Sequence, residues 1–265
     1  MKALVTGVSR GIGRSICLKL AQDALARGKQ PHIFLAATGK SDDLQNVKAE
    51  LEGMGVSASA MACDLSDPEA PVKLVEAAVE FCGGLDALVH NAGFPIIGQL
   101  LTVKLRHWDL MFAVNVRALL LLGRAAHAAL GASQGAICAI ASTAAEMVSP
   151  NLTGYSASKA ALVMLANQMA YEWGPDGIRV NCVSPGMTYS RSTENVMSTP
   201  EQVNRRESIV PLRRLGQPQD IAAAVSFLVG PESTYVTGEN VHVDGGIRHI
   251  TMDNVSPRDA GYLKK

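Results

Sequence analysis

Several absences narrow the function of this 265-residue chain before any motif is read. There is no charge of one sign in excess, since 24 Lys plus Arg balance 24 Asp plus Glu. A neutral chain has no general attraction to nucleic acid or anionic lipid, so neither is expected as a partner. There is no long hydrophobic run either. Stretches such as Ala118 to Leu122 and Ala136 to Ala141 fall far short of the roughly 18 residues of a spanning helix, and a soluble protein without a membrane partner is expected. The five cysteines (Cys17, Cys63, Cys82, Cys138 and Cys182) are odd in number, scattered and free of any C-x-x-C pair. That argues against a disulfide framework and against a zinc site. The six histidines show no ligand spacing, so no metal is expected, and His90 reads as strand packing. Met1 and Lys2 run straight into an apolar strand and a glycine loop. No signal or transit peptide is expected there, and the cytoplasm is the default location.

What is present is apolar and periodic. Hydrophobic residues make up 48% of the chain, enough for a large core. Short apolar runs predict strands near Ala3 to Val5, His32 to Ala36, Ser57 to Ala62, Ala87 to His90, Ala136 to Ala141, Arg179 to Val183 and Asn240 to Val243. Amphipathic segments fill the gaps. Repeated strand-helix-strand units imply right-handed crossovers, hence an α/β fold: a single doubly wound parallel sheet of about seven strands, Rossmann-like, with helices on both faces. No linker or repeat divides it, so residues 1–265 read as one domain, with a substrate lid over about 187–212 and a C-terminal tail over 247–265. Ser66 and Glu69 have capping-box spacing, and Pro68 falls in the first turn of the helix they would open. Two helical segments, Ala118 to Leu122 and Ala160 to Ala166, are apolar all round. More surface than one sheet face can cover implies packing between subunits.

The first strand leads into Thr6-Gly7-Val8-Ser9-Arg10-Gly11-Ile12-Gly13 and then a helical run. Strand, glycine turn and helix in that order make a pyrophosphate site: the glycines let the backbone approach, and the helix N-terminus favours negative charge. A carboxylate roughly 20 residues further on would hold an NAD ribose. Here the second strand ends in Ala36-Ala37-Thr38-Gly39-Lys40, with no acid before Asp42, while Arg10 and Lys40 could meet a 2'-phosphate. NADP(H) is therefore expected in preference to NAD(H).

Further along come Asn91-Ala92-Gly93 after the fourth strand, Asn115 in the next helix, and Ser142 after the fifth strand. Tyr155 and Lys159 follow, spaced Y-x-x-x-K, then Asn181, Pro185-Gly186, Arg214 to Pro218, Val236-Thr237-Gly238 and Val243 to Gly246. Tyr155 and Lys159 lie one helical turn apart, so the ammonium is expected to lower a phenol pKa of about 10 by roughly 1 to 3 units. An asparagine flanked by Val114 and Val116 is expected to be buried and partnered. Gly131 to Gly135 spells a G-x-S-x-G nucleophile elbow, but it follows a helix and precedes a strand, which disfavours a hydrolase.

This ordered set, spanning Thr6 to Gly246, resembles the classical short-chain dehydrogenase/reductase family, most of all its 3-oxoacyl-[acyl-carrier-protein] reductases. The resemblance implies an oxidoreductase that moves a hydride between NADP(H) and a carbonyl or secondary alcohol, with Tyr155 as proton donor. It further implies that Ser142 bonds the substrate oxygen, Lys159 holds the nicotinamide ribose, and Asn115 supports a proton relay. Gly7, Ser9, Arg10, Gly11, Ile12, Gly13, Thr38, Asp64, Leu65, Asn91, Ala92, Gly93, Tyr155, Lys159, Pro185, Gly186 and Thr188 would line the cofactor. Ser142, Phe94, Met147, Leu152, Tyr155 and Met187 would meet a partly apolar substrate. A homotetramer or homodimer is expected. Bacterial members commonly carry basic residues where acyl carrier protein docks; here those positions are Ser133 and Asp176. Carrier docking therefore stays open, as do a free thioester, a ketone, a sugar or a steroid-like alcohol as substrate, and a non-catalytic dinucleotide sensor as function. The enoyl reductases resemble the chain less, because they place six residues between tyrosine and lysine.

Overall fold

The computed structural model describes residues 1–39, 42–189 and 199–250. Seven strands form one parallel sheet: β1 Lys2–Thr6, β2 His32–Ala37, β3 Ser57–Ala62, β4 Ala87–His90, β5 Ala136–Ile140, β6 Arg179–Pro185 and β7 Asn240–Val243. Their spatial order is β3-β2-β1-β4-β5-β6-β7. The chain works outward from β1 in one direction, then returns to β4 on its other side. That reversal opens a crevice beyond the carboxyl ends of β1 and β4, the place where open α/β sheets bind ligands.

The central strands are buried on both faces, which is why β4 and β5 read as continuous apolar runs. The helices are α1 Gly11–Ala26, α2 Asp42–Gly53, α3 Ala70–Cys82, α4 Leu105–Phe112, α5 Ala118–Ser133, α6 Gly154–Trp173, α7 Pro200–Glu207 and α8 Pro218–Val229. Two apolar clusters result. Helices α1 and α8 contribute Ile16, Leu20, Ile221 and Val225 to one; α3, α5 and α6 contribute Leu74, Leu119, Leu122 and Leu162 to the other. Residues Leu105–Ser133 are long and apolar enough to cross a membrane, but half of the apolar 18-residue window within them is buried inside the protein (50%).

The start of α3 departs from expectation. The Ser66–Glu69 capping box does not form. Asp64 accepts the Ser66 N–H at 2.9 Å and Asp67 accepts the Glu69 N–H at 3.0 Å, so two successive Asx turns take the donor that Ser66 would have capped. The helix begins at Ala70 with Pro71 in its first turn. Between α4 and α5 the helix widens into a π turn over Ala113–Arg117, which carries Asn115. Ser133 of the elbow-like sequence ends α5, its hydroxyl donating to the Leu85 and Leu130 carbonyls.

Candidate active site

Six loops leave the carboxyl ends of β1 to β6, and each carries residues expected at the site. The turn after β1 is glycine-bound for steric reasons. Gly7 has φ +70°, and a Cβ there would lie 2.8 Å from both Ala92 N and Asn91 Nδ2. Asn91 donates to the Thr6 and Gly7 carbonyls at 3.2 and 3.0 Å, and Ala92 N–H donates to Thr6 Oγ1 at 3.1 Å. The loops after β1 and β4 are thus tied into one floor.

The fit to a dinucleotide phosphate rests on the start of α1. Its N-cap is Arg10 in an extended conformation, no acid stands in its first turn, and among the described residues no side-chain cap is seen there. Such an end has unpaired N–H groups and a positive field. Gly7, Ser9, Arg10, Gly11, Ile12 and Gly13 surround it. Arg10, half-exposed, donates from Nε to Asp43 at 2.7 Å, and Thr38, just after β2, is exposed. Lys40 lies outside the described residues. Asp64 and Leu65 follow β3, with Leu65 buried and Asp64 exposed. Pro185 and Gly186 end β6, and a Cβ on Gly186 would lie 2.7 Å from Asp244 Cα; Thr188 is buried and bridges to Gly216.

The four reactive candidates converge on the same crevice. Ser142 follows β5 in an extended conformation and caps a single 3-10 turn, Thr143–Ala145, by accepting the Ala144 N–H at 3.1 Å. Tyr155 and Lys159 stand one turn apart on α6, with Lys159 Nζ 5.7 Å from the phenol ring centroid. Lys159 is buried and donates to the Ile140 carbonyl at 2.6 Å. A Cβ on Gly93 would lie 2.9 Å from Asn115 Oδ1 and 3.1 Å from Lys159 Nζ, so the loop after β4 closes directly over both. Asn115, fully buried, accepts from Phe94 N at 3.2 Å and donates to Ser158 Oγ at 2.9 Å and to the Phe94 carbonyl at 3.4 Å. The partner that Asn115 requires is therefore chiefly Ser158, a residue the sequence reading passed over although it adjoins Lys159.

One electrostatic expectation is reversed. Burial raises the Tyr155 pKa above its ordinary value, opposed by a hydrogen bond with Ser142. The Lys159 ammonium leans on the ring face and on a backbone carbonyl, so desolvation of the phenolate prevails over attraction to the lysine. Burial also depresses Lys159 itself, to about 8.

The substrate candidates fall into separate places. Met147 and Leu152 line an open groove of about 660 Å³ with Trp108, Leu100 and Val148. Leu100 and Val148 are 69% and 98% exposed, so apolar surface extends out from the groove. Phe94 meets Asn115 through its backbone N–H and carbonyl. Met187 lines a different cavity, about 500 Å³, with Arg214, His242 and Asp244. Loop 144–153 is anchored to β7 by Glu146, which accepts from Asn240 Nδ2 at 2.9 Å and lies 3.1 Å from His242 Nε2. Of the expected lid, α7 is described, whereas 190–198 lie outside the described residues, as do 251–265 of the expected tail.

Residues 7–248 match a family model described as Enoyl-(Acyl carrier protein) reductase. Dehydrogenase/reductase SDR family member 4 from Homo sapiens is 34% identical over 246 residues, covering 92% of this chain and 86% of that protein. The chain belongs to the short-chain dehydrogenase/reductase family. The 3-oxoacyl-[acyl-carrier-protein] reductase FabG of Staphylococcus aureus is 32% identical, covering 92% of this chain and 97% of that enzyme. Among solved structures, a short-chain dehydrogenase from Burkholderia cenocepacia J2315 in complex with NADP matches with TM-score 0.84 and 35% identity, over 93% of this chain and 97% of the other. A blue fluorescent protein from a metagenomic library in complex with NADPH matches with TM-score 0.83 and 33% identity, over 92% and 96%.

Proposed function

We propose that this short-chain oxidoreductase is an NADP(H)-dependent carbonyl reductase, and that its substrate is a 3-oxoacyl thioester. The observation that carries the reaction class is the closure of Gly93 over Asn115 and Lys159 beside Tyr155, at the sheet's switch point. A bound nicotinamide would supply the hydride. The chain's own residues manage the proton. A phenol with a raised pKa keeps its proton at neutral pH, so Tyr155 donates it to the substrate oxygen while Ser142 holds that oxygen. Lys159 stabilises the phenolate left behind.

The thioester reading is supported by the apolar groove and by the FabG likeness; the position of Ser133 and Asp176 favours a free thioester over a carrier-bound one. The deciding experiment follows NADPH and NADH oxidation with acetoacetyl-CoA, carrier-linked substrates and a ketone panel. Strong turnover of a ketone with none of acetoacetyl-CoA would sink the thioester assignment. NADPH binding without turnover of any carbonyl would favour the sensor instead.

Lys159 makes the pH dependence specific. Its ammonium is present below about 8 and lost above it. Carbonyl reduction should therefore hold its kcat/KM below that pH and decline above it, since the deprotonated amine no longer favours the phenolate. A flat profile from pH 7 to 10 contradicts this role.

Arg10 is the proposed 2'-phosphate ligand. Removing one charge-assisted hydrogen bond, worth roughly 1.5 kcal/mol, should make Arg10→Ala raise the Kd for NADPH about tenfold and leave that for NADH unchanged. Titration of both cofactors by fluorescence checks it.

A homodimer or homotetramer is proposed from α6, whose exposed stripe runs Ala157, Ala160, Met164, Gln168, Tyr171. The stripe is spaced symmetrically about Met164, small toward one end and large toward the other. A two-fold axis there would set Tyr171 of one copy over Ala157 of the next. Met164→Glu should yield monomers by light scattering. We place the protein in the cytoplasm, where its five free, buried thiols would stay reduced.

A further inference from the structure

His90 ends β4, immediately before the Asn91-Ala92-Gly93 loop, and is almost completely buried (1% exposed). The bland account is a packed strand residue. Both of its ring nitrogens, however, have defined partners. Nε2 lies 3.2 Å from the Val114 carbonyl oxygen, and Nδ1 lies 3.2 Å from Thr6 Oγ1. A carbonyl only accepts, so Nε2 carries the hydrogen and Nδ1 accepts from the Thr6 hydroxyl. Thr6 in turn accepts from Ala92 N–H at 3.1 Å. The bonds run in one direction: Ala92 to Thr6, Thr6 to His90, His90 to Val114. Burial, with Lys159 nearby, pushes the imidazole down to about 3, so the bridge is neutral and does not oppose the lysine's charge.

Val114 belongs to the π turn and precedes Asn115. A π turn breaks the regular α-helical ladder, and such bulges persist where neighbouring groups hold them. Three elements hold this one. His90 grips it from the sheet, Ser158 from α6, and the Phe94 backbone from the loop above. We propose that His90 is a positioning residue for the reaction, fixing the π turn so that Asn115, Phe94 and Lys159 keep their mutual placement. This rests on the carbonyl-reductase reading for its kinetic consequence, but the structural linkage can be read without catalysis.

Three substitutions separate the two bonds. His90→Phe removes both at similar volume. His90→Asn can present an acceptor where Nδ1 stood and so keeps the Thr6 bond. His90→Gln can present a donor where Nε2 stood and so keeps the Val114 bond. A loss of placement on the order of 1 Å should lower kcat about 10- to 100-fold in the Phe and Asn variants, with the KM and the NADPH Kd within about threefold of the parent. Gln should recover most of kcat. Hydrogen exchange gives the second readout: the Phe94 amide, bonded to Asn115, and the amides of 113–117 should exchange faster in Phe and Asn than in Gln, with the sheet unchanged.

Full kcat in His90→Phe overturns the proposal, as does a joint fall of kcat, cofactor affinity and melting temperature in all three, which would mark His90 as core packing. Recovery by Asn and not Gln overturns it too, by assigning the effect to Thr6. Should Phe fail to fold, the comparison of the two amides decides alone. If the parent reduces no carbonyl, the carbonyl-reductase reading fails, while the exchange pattern still confirms or refutes the linkage.

Discussion

Tyr155→Phe is expected to lower kcat/KM for carbonyl reduction by about 100- to 10,000-fold while NADPH affinity stays within about threefold. The ring itself is kept, so the packing of α6 and the contact with Lys159 Nζ at 5.7 Å persist. Only the hydroxyl goes, with its hydrogen bond to Ser142. Ser142 does not swing free, because it still accepts the Ala144 N–H at 3.1 Å. The loss is therefore confined to proton delivery. With the hydroxyl gone, the substrate oxygen would have no side-chain acid to take a proton from as it gains negative charge, and water is a poor substitute in a site built from buried side chains. Such a defect falls mainly on kcat, since the hydroxyl matters most where negative charge develops on the substrate oxygen, in the transition state. Steady-state kinetics, with cofactor titration as control, checks it. Undiminished activity in the variant would remove Tyr155 as the acid.

The distinction between what could be read from sequence and what could not follows the range of the interactions. The strands were legible because parallel strands buried on both faces are written as short apolar runs, and β3, β4 and β7 have the bounds that the runs predict. Tyr155 and Lys159 were legible as neighbours because helical periodicity alone puts them on one face. Ser142 was legible because crevice residues sit just beyond strand ends. The electrostatics were not. Whether an ammonium lowers a phenol's pKa depends on where its nitrogen rests, and the Ile140 carbonyl, supplied by another element, claims it. Likewise the start of α3 differs from the capping-box expectation because Asp64 and Asp67 take locally the N–H groups that such a box needs. The π turn has no sequence period of its own, so neither it nor the partnership of Asn115 with Ser158 was visible. Nor could sequence place Met187 and Met147 in different cavities, since Met187 lies with His242 and Val243 of β7 and Met147 with Trp108, neighbours set by tertiary packing.

Gly13→Ala is expected to weaken NADPH binding about 10- to 100-fold, the loss of one or two hydrogen bonds to a charged group at roughly 1.5 kcal/mol each. Gly13 sits in the first turn of α1 and is buried. A Cβ there would lie 2.7 Å from Asn91 Nδ2 and closer still to the Gly7 carbonyl oxygen. Neither can yield freely. Gly7 is held at φ +70° between Ala92 and Asn91, and Asn91 is bonded to the Thr6 and Gly7 carbonyls. The added methyl must push the glycine turn away from the loop after β4, which would move the N–H groups expected to meet a pyrophosphate and widen the floor of the crevice. Helix propensity acts in the opposite sense, since alanine is favoured over glycine by about 1 kcal/mol within a helix. The variant can thus fold, and its melting temperature without cofactor distinguishes loss of binding from loss of structure. Two measurements decide the matter together: a Kd from fluorescence titration and the rise in melting temperature on adding NADPH. A parent-like Kd in the folded variant would mean that the turn after β1 does not carry the dinucleotide.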